Sequence, residues 1–236
     1  TLAAPDTWEV ALSGGANKKD PFERLIADNK LGALALLRNL RGMLAAGVAK
    51  TTIAGALDAM RVDRVLPFRF ITAARHAPDL EPELEAAMLK SLEGHAKLAG
   101  HTTLLIDVSG SMDAPLSDKS ETTRLEAACG LAILAREICE DVEIYTFSND
   151  VVKVPPRRGF ALRDAIVQSQ PHGGTLLGAA VAKVDAKQTR LIVFTDEQSR
   201  DPVPAPKGTG YMVNVASYSH GVGRGAWMRV DGFSEA

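Results

Sequence analysis

From Thr102 through Ile106 the chain carries no charge and no turn former, and at Asp107 it becomes polar at once, continuing Val108-Ser109-Gly110-Ser111. A continuous run of this kind suits a strand buried on both faces, which a parallel sheet covered by helices provides. The segments that follow repeat the theme. Thr123 stands three residues before Glu126, a helix-capping pair, ahead of Leu131, Leu134 and Ile138 on one helical face. Val142–Phe147, Leu191–Thr195 and Met212–Ala216 read as further strands, and Val151–Val154 as a short edge strand ended by Pro155 and Pro156. Arg163–Val167 and Leu176–Val184 read as helices between them. Alternating strands and helices predict an α/β fold, a doubly wound and mostly parallel sheet.

Upstream of about Lys97 the period changes. Leu31, Leu34, Leu37, Leu40 and Leu44, then Ile53, Leu57 and Met60, recur at helical spacing. Asp28 or Asn29 is a candidate cap for the first helix, Gly47 closes it, and Thr51 is placed to cap the second. Pro67 and Pro82 open a third and a fourth. Two helical hairpins of this sort suggest a partial HEAT-like repeat region, with a boundary near Gly100 that divides residues 1–98 from residues 99–236.

In a doubly wound sheet, ligands sit beyond the carboxyl ends of the strands. Three segments fall there: Asp107-Val108-Ser109-Gly110-Ser111, Gly173-Gly174-Thr175 and Thr195-Asp196-Glu197. The side chains of Asp107, Ser109, Ser111, Thr175 and Asp196 all end in oxygen, which selects a hard divalent cation over zinc. Mg²⁺ is expected, with Mn²⁺ or Ca²⁺ as alternatives. If the first loop stays extended, Asp107, Ser109 and Ser111 share one side, and Gly110 keeps that side uncrowded. Mg²⁺ takes about six ligands, so five candidates leave room for water or a partner's acidic group.

This pattern resembles the metal-ion-dependent adhesion site of von Willebrand factor A domains, with its D-x-S-x-S, later Thr and later Asp. The stretches WEVALSGGANKKDPFERLI, LGALALLRNLRGML, RVLPFRFITAAR, LLIDVSGSM and VNVASYSHGVGRGAWMRVDGFSEA together resemble the carboxyl-terminal half of TROVE-module proteins of the Ro60 type. The resemblance implies a ring of helical repeats closed by a von Willebrand factor A domain. It also implies binding of Y-type noncoding RNA and of misfolded RNA in RNA quality control. Two departures stand out: only the last two hairpins of such a ring are present, and Leu176 follows Thr175 where relatives can place an acidic residue.

The remaining signals have ordinary readings beside sharper ones. Arg38 and Arg41 are a solvated face or inter-helix ties, or phosphate contacts; Lys18 and Lys19 lie in a loop that suits solvent or RNA equally. Arg157 and Arg158 read as charges protecting a sheet edge. His172 reads as a neighbour of the metal rim, and Gly221–Gly225 as a turn that meets neither nucleotide-loop spacing. Cys129 and Cys139 fall on one expected helix, too far apart to bond, and imply a reducing, cytoplasmic setting.

A net charge of −2, from 27 Lys+Arg against 29 Asp+Glu, gives no basic stripe and so no independent vote for nucleic acid. No apolar run of about 18 residues is present, so no membrane partner is expected. The chain opens on Thr1 without a signal stretch and reads as part of something longer.

No catalytic residue is expected. Where a phosphotransferase Asp would need a second Asp two residues on, Ser109 stands, and no nucleophile elbow is visible. The leading expectation is therefore a non-enzymatic RNA-binding protein whose cation site docks an acidic protein ligand. The competing one is a metal-dependent adhesion or assembly module that does not bind RNA.

Overall fold

The structure is a computed structural model that describes residues 9, 12, 18–63, 65–118, 120–187, 189–216 and 221–231. Parts of three quoted stretches, at 8, 10–11, 13–17, 64, 217–220 and 232–236, lie outside these residues. The chain divides into two compact units between Glu93 and Gly94.

The first unit is helical: α1 (Lys19–Ala27), α2 (Ala33–Ala45), α3 (Lys50–Ala59), α4 (Pro67–His76) and α5 (Glu81–Lys90). Helix α2 packs on α3 and α4 on α5, while α2 also packs on α4 and α3 on α5, so the two hairpins stack as repeats. Leu40, Met43, Ile53, Phe70, Leu84 and Met88 form the buried seam.

Helix α1 is a correction to the reading of Lys18 and Lys19 as a loop, because Lys19 begins it. Only Phe22 and Leu25 are buried along it, too few apolar positions to announce a period. The capping residues also act differently from expectation. Asn29, at φ 51°, closes α1 rather than opening α2: its amide donates to the Ile26 carbonyl and that of Lys30 to Leu25. Helix α2 starts from Gly32 and α3 from Ala49, neither with a side-chain cap, and Thr51 lies inside α3. Gly47, at φ 77°, does close α2 in the same manner.

The second unit runs β1 (Leu98–Asp107), α6 (Arg124–Ile138), β2 (Cys139–Phe147), β3 (Val151–Lys153), α7 (Gly159–Val167), α8 (Leu177–Val184), β4 (Arg190–Thr195), β5 (Thr209–Asn214) and β6 (Met228–Asp231). The sheet order is β3-β2-β1-β4-β5-β6. Every pairing is parallel except that of β3 with β2. Leu104, Leu105 and Ile106 are fully buried, as the unbroken run requires. Leu105, Leu191, Val193 and Met212 face α8, whereas Leu131 and Leu134 of α6 line a groove with Ile192, Phe194, Tyr211 and Val213. Neighbouring residues of one strand thus meet helices on opposite faces, which makes the sheet doubly wound.

Strand β6, half-exposed at Met228 and Val230, is an edge strand with no apolar run to betray it. Cys139 opens β2 and does not share a helix with Cys129; both thiols are free and buried. Arg158 is no edge charge: it grips the buried Glu137 carboxylate with Nε at 2.8 Å and Nη2 at 2.7 Å. Burial would raise Glu137, but Arg158 together with Arg136 and Lys97 outweighs it and holds the group below the usual carboxylate range. Among the described residues, no helix is long and apolar enough to cross a membrane.

Both halves of the expected capping box form at α6. The Glu126 amide donates to the Thr123 hydroxyl at 3.1 Å, and the Thr123 amide to the Glu126 carboxylate at 2.8 Å. Thr123→Ala should therefore cost about 1 kcal/mol. Thermal unfolding should register this as a drop of roughly 2–4 °C, and an unchanged midpoint would show that the box contributes nothing.

Candidate metal centre

Chain order places the crevice. From β1 the chain moves to β2 on one side, and it later returns to β4 on the other, so the carboxyl ends of β1 and β4 flank a topological switch point. Asp107 ends β1 and Asp196 directly follows β4. Both are fully buried.

Three hydrogen bonds tie the loops together. The Thr195 hydroxyl donates to Asp107 Oδ2 at 2.7 Å, joining the first loop to the third. The Gly110 amide donates to the Gly173 carbonyl at 3.0 Å, joining the first to the Gly-Gly-Thr loop. The Arg200 amide donates to the Thr175 carbonyl at 3.0 Å, joining that loop to the third. The residue directly after β2 contributes as well: Ser148 Oγ accepts from the Gly173 amide at 2.8 Å and its carbonyl accepts from the Leu176 amide at 3.0 Å.

The first loop does not stay extended. Residues Gly110–Asp113 form a 3-10 turn, yet Ser109 Oγ and Ser111 Oγ still stand 3.3 Å apart. A Cβ at Gly110 would lie 3.4 Å from the His172 carbonyl and 3.8 Å from that of Gly173, so the Gly-Gly-Thr loop passes close by this residue. His172 itself is engaged at both ring nitrogens, Nδ1 at 3.0 Å from Asp113 Oδ1 and Nε2 at 3.1 Å from the Val167 carbonyl. It braces the rim. Residues 221–225 form the expected loop, with Gly221, Gly223 and Gly225 at positive φ.

The two carboxylates differ in their partners. Asp107 accepts from neutral donors, the Ser109 amide at 2.9 Å and the Thr195 hydroxyl. Burial pushes it up to about 7 in spite of these bonds, and the charge of Asp196 adds to the rise. Asp196 accepts from the Arg124 guanidinium at 2.8 Å and from the Gln198 side chain at 3.1 Å on Oδ2, and from the Gln198 amide at 3.2 Å on Oδ1. The same Nη1 of Arg124 donates to the Ser111 carbonyl at 3.1 Å.

Sequence reasoning missed Arg124, Gln198 and the bracing role of Thr195. It also missed Glu197, fully buried at φ 59°, whose carboxylate accepts from Arg229 at 2.6 Å and from the Gly221 amide at 3.2 Å. A positive φ on a non-glycine residue costs free energy that the surrounding contacts must hold. Here those contacts anchor the residue next to Asp196 to β6. Asp201 seats the same loop on α8, accepting from the amides of Gly178 at 3.0 Å and Ala179 at 2.7 Å. Burial alone would raise Asp201, but these amides and the Ser199 hydroxyl hold it below the ordinary range.

The donor set fits a hard divalent cation in kind. Asp107, a buried carboxylate among neutral donors, lies in the same linked loops as Ser109, Ser111, Thr175 and Asp196, and all five offer oxygen. Among the described residues, no group of three or more His, Cys, Asp or Glu side chains is arranged for a metal. A site here would depend on hydroxyls.

Free of metal, Asp107 has a folded-state pKa of about 7 against an ordinary value of 3.8. The protonated form therefore favours folding: that contribution is complete below about pH 4 and is lost as pH rises through about 7. In EDTA, Asp107→Asn should be more stable than the parent at pH 8 by on the order of 2–4 kcal/mol, roughly 5–10 °C. The difference should close near pH 4, and parallel melting profiles across that range would refute the assignment.

Residues 1–136 match the sequence model described as the TROVE domain. Over 91 residues the chain is 34% identical to telomerase protein component 1 of Mus musculus and 33% identical to that of Rattus norvegicus. Each match covers 36% of this chain and 4% of the relative, so the chain spans a small fraction of those proteins. The crystal structure of the Deinococcus radiodurans Ro (RSR) protein superposes with a TM-score of 0.63 at 19% identity, over 92% of this chain and 53% of that one. That likeness bears on the fold: a doubly wound, mostly parallel sheet of the von Willebrand factor A kind, with stacked helical hairpins.

Proposed function

The chain belongs to the TROVE-domain family, and from that premise we propose that the protein carrying it is a non-enzymatic RNA-binding protein. Its ligands are structured noncoding RNA of the Y type and misfolded RNA, and it works in the cytoplasm in RNA quality control. The family match over the helical unit and the start of the sheet unit is the observation that carries this reading. Arg38 and Arg41 support it locally, being exposed three residues apart on α2, where they can reach phosphate oxygens.

The second unit holds a divalent cation, Mg²⁺ by preference, through Asp107, Ser109, Ser111, Thr175 and Asp196. Bound there, the ion would offer an open position to the carboxylate of an acidic protein partner. The support is geometric: the three loops that carry these oxygens are hydrogen-bonded to one another at the switch point of the sheet. The reading without catalysis is supported by Ser109, which stands where a phosphotransferase would need a second acid.

Gel-shift titration of the protein at its natural length, with a structured RNA bearing a single-stranded tail, tests the first reading. Binding should weaken steeply between 50 and 200 mM salt, and Arg38→Ala with Arg41→Ala should reduce the salt slope by roughly 1–2. Absent or salt-independent binding would leave the metal-dependent assembly reading in its place.

Calorimetry with Mg²⁺ and Mn²⁺ tests the second. Heat is expected from the parent and not from Asp107→Ala, and an unchanged isotherm in that variant would remove Asp107 from the ligand set.

A further inference from the structure

The least expected feature of the site is that one of its two buried carboxylates already has a cation. Arg124 opens α6, and its side chain is only 12% exposed. Nη1 donates at once to Asp196 Oδ2 at 2.8 Å and to the Ser111 carbonyl at 3.1 Å, so it spans two of the three loops that carry candidate ligands. With Asp107 ionised, as it must be to hold a cation, Asp107 and Asp196 bring two negative charges, and Arg124 brings one positive charge among them. A divalent ion entering this set meets a net charge of −1 rather than −2. It must also share Asp196 with a guanidinium in a setting where burial weakens dielectric screening.

We propose that Arg124 is an internal cation that competes with the divalent ion for Asp196 and thereby sets the affinity and the ligand requirement of the metal site. This rests on the metal reading above. With Arg124 in place, the unoccupied site keeps Asp196 neutralised and the loops joined, so the fold does not depend on metal. With both cations present, the set carries a net charge of +1. The open position then favours an anion, and a partner's carboxylate both balances that charge and tightens the hold on the ion. Metal and acidic partner become mutually reinforcing, as linkage requires of two ligands that relieve each other's electrostatic cost.

The test compares the chain with Arg124→Gln, which keeps a donor without the charge, and Arg124→Lys, which keeps the charge. In Mn²⁺ calorimetry at pH 7.5, Arg124→Gln should bind at least tenfold more tightly than the parent, and Arg124→Lys within about threefold of it. Acetate at high concentration should tighten Mn²⁺ binding in the parent and much less in Arg124→Gln. In EDTA, Arg124→Gln should melt below the parent, and saturating Mn²⁺ should restore more of its stability than it adds to the parent.

Should Arg124→Gln fail to fold in EDTA, the parent itself supplies the reading. The Nε–Hε signal of Arg124, assigned by its loss in Arg124→Lys, should move and exchange faster with solvent as Mg²⁺ saturates the site. Equal Mn²⁺ affinity in folded parent and Arg124→Gln, or an Arg124 signal indifferent to Mg²⁺, overturns this inference alone. No heat from the parent or either variant overturns the metal reading and this inference with it.

Discussion

Two carboxylates fully buried at the ends of adjacent parallel strands, Asp107 and Asp196, are the constraint around which the sheet unit is arranged. Neither can be buried cheaply as an anion. The protein answers one with hydrogen bonds and the other with a guanidinium. Each answer recruits a further piece of the fold: Thr195 holds β1 to β4 at its end, and Arg124 ties the first turn of α6 to the loop after β4. The glycines of the Gly-Gly-Thr loop let that segment lie close against Ser148, Asn149 and Arg200, while the Gly173 carbonyl accepts from the Gly110 amide of the first loop. A crevice that any doubly wound sheet possesses has here been furnished with buried negative charge, which is a cost unless something positive belongs there.

That much of the candidate site was legible because strand ends are legible. An uncharged run that breaks at an aspartate marks both a buried strand and its carboxyl rim, and Asp107 and Asp196 each follow such a run. Thr175 could be placed because paired glycines precede a helical period. Arg124 could not, since its partner lies 72 residues away and meets it only when β4 pairs beside β1. The same holds for Arg158, which looks like an edge charge until α6 delivers Glu137 to it across 21 residues. Pairings between distant charged residues leave no periodic trace.

The elements missed share another cause. Helix α1 buries only Phe22 and Leu25, and β6 leaves Met228 and Val230 half-exposed, so neither carries the apolar pattern from which sequence reading works. Capping residues misled for a local reason. Asn29 suits the left-handed exit of a helix as well as the entry of the next, and with Gly32 available to open α2 it took the exit. Where the candidates were specific to one role, as in the Thr123 and Glu126 pair, sequence and structure agree in detail.

The charge balance also bears on how the two proposed activities coexist. With 27 basic against 29 acidic residues, diffuse attraction cannot hold a polyanion, so RNA affinity has to come from local groups. Exposed arginines such as those on α2 have that character. The rim of the sheet unit has the opposite one: Asp107, Asp196 and Glu197 are fully buried and Ser109 and Thr175 nearly so. A recessed set of oxygens of this kind admits a small ion and one side-chain carboxylate more readily than a phosphate backbone with its neighbouring charges. On the proposed reading the two units thus take separate ligands, RNA on surfaces where arginine is exposed and an acidic protein group at the crevice.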